Sequence, residues 1–79
     1  MRNGLHKRSI DLAGHKTSVA LESEFWRALE RMAAARGLSV RALIADIDGA
    51  RPADRPLASA CRVAALLAHS PPDKSEKPG

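Results

Sequence analysis

The stretch Lys16-Thr17-Ser18-Val19-Ala20-Leu21 alternates as an extended strand does, and no later segment of the chain does so as well. As an extended strand it sends Thr17, Val19 and Leu21 to one face and Lys16, Ser18 and Ala20 to the other. Thr17 and Val19 are β-branched, which favours that backbone. A lone strand cannot satisfy its own N–H and C=O groups, so it has to pair with something. The chain has 79 residues, and a chain of that size closes only a marginal core by itself. A disulfide is excluded because Cys61 is the single cysteine. His6, His15, His69 and Cys61 share no metal-ligand spacing. Neither metal nor cofactor is expected, and the remedy left is a second copy of the chain.

After Leu21 the period changes. Glu22 and Ser23 offer capping oxygens and Glu24 brings negative charge to a first helical turn. Phe25, Leu29, Met32 and Ala33 then form one helical stripe, with Arg27, Glu30, Arg31 and Arg36 on the opposite side. Gly37 stands where a left-handed C-cap is wanted. The pattern predicts a first helix over 23–36. Ser39 is a good N-cap for a second helix over 39–49, whose stripe is Val40, Leu43, Ile44 and Ile47. Pro52 and Pro56 bound a linker, and the alanine-rich stretch Leu57 to His69 reads as a third helix. Residues 70–79 carry Pro71, Pro72 and Pro78 and no large apolar side chain, a composition that predicts disorder.

Residues 1–14 read as a basic arm, in which Ser9 to Leu12 can form a short strand before an Ala13-Gly14 turn. The net charge is +4, and residues 1–21 hold Arg2, Lys7, Arg8 and Lys16 against Asp11 alone. Such a basic excess commonly meets phosphate. No apolar run resembles an export signal or a membrane span, so the expected location is cytoplasmic.

Strand, helix, Gly turn and Ser-capped helix, in the stretch "HKTSVALESEFWRALERMAAARGLSVRALIADID", resemble the ribbon-helix-helix superfamily of DNA-binding proteins. The segments "RSIDLAGHKTSVALESEFW" and "LASACRVAAL" are similar to short bacterial ribbon-helix-helix proteins that append a third helix. The resemblance covers roughly residues 8–68. It implies a mainly α chain with one short strand, 16–21, and an intertwined homodimer whose two strands pair antiparallel. The dimer core would then hold Val19, Leu21, Phe25, Leu29, Met32, Val40, Leu43, Ile44 and Ile47. It also implies that Lys16, Ser18 and Ala20 enter the major groove of double-stranded DNA, Ala20 being a departure from the long polar group often found there. Ser39, Val40 and Arg41 would anchor phosphate at the N-terminus of the second helix, with Arg8 and Lys7 adding contacts from the arm.

The function expected on this basis is a transcriptional repressor, with neighbouring dimers associating on the DNA. Two other readings share the fold: an antitoxin that holds a toxin or another protein partner, and an interaction module that does not touch DNA. An enzyme is not expected, because the chain has no Gly-rich phosphate loop and no cysteine–histidine arrangement at useful spacing.

Overall fold

The computed structural model describes residues 4–69; the expected disorder of 70–79 lies outside them. The chain begins with two strands rather than one. Strand β1 (Leu5–Leu12) and strand β2 (His15–Glu22) pair antiparallel, from Leu12 opposite His15 out to Leu5 opposite Glu22. Their connection is only Ala13-Gly14, with φ of 51° and 83°. Positive φ at both central residues is what a type I′ turn requires, and its twist matches that of the strands it joins. Gly14 adopts it freely, whereas Ala13 does so at a cost of about 1–2 kcal/mol.

This hairpin corrects the expectation of a fold built on one strand, while the short strand and Ala13-Gly14 turn expected at 9–14 are present and β1 reaches back to Leu5. The strand at 16–21 extends to 15–22, and most of the supposed arm is its partner. The need for a second copy to pair the lone strand disappears, because the chain supplies the pairing itself.

Three helices follow: α1 (Ser23–Arg36), α2 (Val40–Ala50) and α3 (Leu57–His69). Gly37 ends α1 at φ 70°, its N–H donating to Ala34 O at 3.1 Å while Leu38 N donates to Ala33 O at 2.8 Å. That pair of bonds is a Schellman motif, which satisfies two otherwise orphaned carbonyls. Ser39 then caps α2, its Oγ accepting from Ala42 N at 3.0 Å. Glu22 occupies the N-cap of α1 without a side-chain capping bond. The linker is pinned by Arg51, which donates to Asp48 at 2.8 Å and to the Arg55 carbonyl at 2.7 Å.

One face of the hairpin covers the core. Ile10 and Leu12 of β1 and Val19 and Leu21 of β2 are buried there with Trp26, Leu29, Ala33, Leu43, Ile44 and Cys61. Phe25, Met32, Val40 and Ile47 pack around this cluster, half-buried. The residues expected to meet across a dimer therefore already meet within one chain, with Leu21, Leu29 and Ile44 fully shielded from solvent. Helix α3 contributes to that closure by packing against α1, α2 and β2. Burial pushes the Cys61 thiol up to about 11, which leaves it a small apolar core residue at neutral pH. No helix among the described residues is long and apolar enough to cross a membrane.

Candidate nucleic-acid interface

The face of the hairpin turned away from the core is polar. Side chains alternate along each strand, so the register places Lys7, Ser9 and Asp11 of β1 beside Ala20, Ser18 and Lys16 of β2, respectively. All of these are exposed except Ala20, which is half-buried. Lys16 Nζ lies 3.6 Å from Asp11 Oδ2, with the lysine side chain 73% exposed. An ion pair so open to water adds little stability. It leaves the ammonium free to exchange Asp11 for another anion or for a base edge.

Lys16, Ser18 and Ala20, the residues picked out on β2, thus lie on this outer face together. Lys7 joins them from β1, directly opposite Ala20, and so sets a long cationic side chain beside the position where β2 has only a methyl. Ser9 joins opposite Ser18, although strand alternation in β2 alone gives no reason to select it. The signal for both is an internal repeat. His6-Lys7-Arg8-Ser9-Ile10-Asp11-Leu12 and His15-Lys16-Thr17-Ser18-Val19-Ala20-Leu21 share histidine, lysine, serine, a β-branched apolar residue and leucine at a spacing of nine.

Arg8 sits elsewhere. Alternation turns it to the core side of β1, where its guanidinium lies 4.3 Å from the centre of the Trp26 ring and pairs with Glu30 at 3.0 Å. Trp26 is itself buried and donates from Nε1 to the His6 carbonyl at 2.8 Å. Trp26 and Glu30 of α1 therefore grip β1 through Arg8 and His6, and Arg8 is committed to that grip rather than to the outer face. A stacked, ion-paired guanidinium of this kind is worth about 1 kcal/mol or somewhat more.

Ser39, Val40 and Arg41 form the start of α2, and Arg41 is exposed. The Ser39 hydroxyl is used internally by Ala42 N. The main-chain N–H groups of Val40 and Arg41 belong to the first turn, which has no intrahelical acceptors. At the far end of β2, Arg62 of α3 donates to Glu22 at 3.2 Å and lies 5.7 Å from the Phe25 ring. The Glu22 carboxyl is held below its ordinary value, first by its own main-chain N–H and then by Arg62.

A ribbon with a polar, cationic outer face, followed by two capped helices, is the arrangement that a ribbon-helix-helix domain model matches over residues 5–69. Neither a curated protein nor a solved structure matches the chain. The family match spans both strands and all three helices, and the chain belongs to the ribbon-helix-helix domain family.

Proposed function

We propose that this protein is a transcriptional repressor that binds double-stranded DNA by laying the outer face of the β1–β2 ribbon in the major groove. Members of the family generally bind DNA, and do so as dimers. The observation that carries the reading is that one face of the ribbon is core while the other exposes Lys7, Ser9, Lys16 and Ser18 together. A two-stranded ribbon is of the right width for the groove. Lysine donates to guanine O6 and N7, and serine donates or accepts at several base edges. Phosphate is the natural ligand for the first turn of α2 at Ser39, Val40 and Arg41, where free N–H groups meet the positive end of the helix dipole. Such contacts fix register, and the ribbon reads sequence.

The test is a salt titration of binding to a random-sequence duplex. Contact with about four phosphates makes the affinity fall by roughly a hundredfold between about 50 and 200 mM salt. A flat response, or no binding at low salt, would sink the proposal.

A second reading, as a protein-binding module or antitoxin, is favoured by Leu66 and Leu67 of α3, which are 65% and 70% exposed. A small protein that co-purifies in stoichiometric amount, and is lost from a Leu67→Ser variant, would support it.

A further inference from the structure

We infer that one chain carries both halves of the DNA-reading ribbon, with β1 acting in place of a partner's β2, so that Lys7 and Ser9 read bases as Lys16 and Ser18 do. This rests on the DNA-binding reading of the same face. His6 to Leu12 and His15 to Leu21 form a repeat at a spacing of nine. An antiparallel pair of identical strands has a two-fold axis perpendicular to the sheet, passing between two equivalent residues. The observed register sets Ser9 directly opposite Ser18, and these are equivalent positions of the repeat. A local two-fold at that point carries Lys7 onto Lys16, Ile10 onto Val19 and Leu12 onto Leu21. The hairpin thus has the symmetry of a ribbon built from two copies of one strand.

Burial follows the same two-fold. Ile10, Leu12, Val19 and Leu21 are all buried, and Lys7, Ser9, Lys16 and Ser18 are all exposed. Where the repeat departs from identity, each departure has a local consequence. Arg8, equivalent to Thr17, holds β1 to Trp26 and Glu30. Asp11, equivalent to Ala20, pairs with Lys16.

Groove width counts against a ribbon widened by a second hairpin. Pairing the outer edges of two β2 strands would make a four-stranded sheet, whose outermost backbones stand about 14 Å apart at ordinary strand spacing. The major groove is about 12 Å wide and takes two strands. One hairpin fits it and two fused hairpins do not. Along the ribbon, Lys7 and Lys16 are offset by four residues, roughly 14 Å. That separation covers roughly three to four base-pair steps, so the preferred site is a short quasi-palindrome with a base pair favoured by lysine in each half.

The experiment is enrichment of bound sequences from a random duplex pool at low salt, followed by affinity measurement on the enriched duplex, for wild type, Lys7→Ala and Lys16→Ala. Both side chains project from the exposed face, so neither variant threatens the fold. The expected wild-type motif is quasi-palindromic. Each variant should relax preference in one half of the motif and weaken binding by roughly tenfold to a hundredfold. If Lys7→Ala leaves the motif intact, whether affinity is unchanged or uniformly lowered, β1 does not read bases and the inference is overturned. If neither lysine matters to a wild type that still binds, the outer face is not the reader and the inference also falls. A wild type that binds no duplex defeats the DNA reading itself, a separate outcome.

Discussion

Strands β1 and β2 carry nearly the same residues yet are held in place differently. β2 runs without a break into α1, and its inward Val19 and Leu21 are almost completely buried. Within the described residues β1 is joined to the helices through the Ala13-Gly14 turn and β2. Its inward residues are apolar only at Ile10 and Leu12; the two before them, His6 and Arg8, are exposed and gripped through the Trp26 N–H and ring and the Glu30 carboxylate. The same strand pattern can therefore be anchored by apolar burial or by a polar latch, and the latch is the weaker and more easily released anchor.

Paired truncations at equivalent positions test this difference most severely. Leu21→Ala should cost about 3–5 kcal/mol, near the upper end for a buried leucine, and Leu12→Ala nearer about 2 kcal/mol. Urea unfolding followed by circular dichroism measures both, and equal losses would erase the contrast between the strands. Because small domains are stable by only about 5–15 kcal/mol, Leu21→Ala has to be read from a shifted midpoint rather than from yield alone.

A smaller effect isolates the latch. Trp26→Phe keeps most of the apolar bulk but leaves the His6 carbonyl without its donor, for a loss of about 1–2 kcal/mol. Amide exchange should quicken in β1 while α2 keeps its protection, since a local opening need not involve the whole fold. Uniform loss of protection would show that β1 is no more detachable than the rest. Asp11→Asn is the mildest change. The exposed Lys16–Asp11 pair contributes at most about 1 kcal/mol to stability, so the melting temperature should hardly move. DNA affinity, by contrast, should rise a few-fold as Lys16 is freed and a carboxylate leaves the groove face. A drop in affinity would instead make Asp11 a base contact.

The helices could be read directly from the sequence because their signals are local. The stripe from Phe25 to Ala33, Gly37 as C-cap and Ser39 as N-cap are each decided within a turn or two of chain, and α2 differs from its expected span only in that Ser39 is the cap and the helix reaches Ala50. Strand β2 was legible through its alternation. Strand β1 was legible only in its second half, Ser9 to Leu12, with the Ala13-Gly14 turn after it, because alternation is visible only where one face is apolar, and His6 and Arg8 break that face. What stabilises them is Trp26 and Glu30, twenty and twenty-two residues further on, a distance at which periodicity carries no information. The candidate site shares this limit. Lys16 and Ser18 follow from β2 alone, whereas the roles of Lys7 and Ser9 depend on a register that only the turn fixes.

The two-residue turn at Ala13-Gly14 also changes the kinetics of the ribbon. Strand pairing across it is a first-order event, on the scale of about 1–10 μs for a hairpin, and its equilibrium does not depend on how many copies a cell contains. A ribbon assembled from two separate chains would come apart on dilution, its population falling faster than the protein itself. Here the pairing survives at any copy number, so scarcity limits how often DNA is met but not whether the strands are paired when it is.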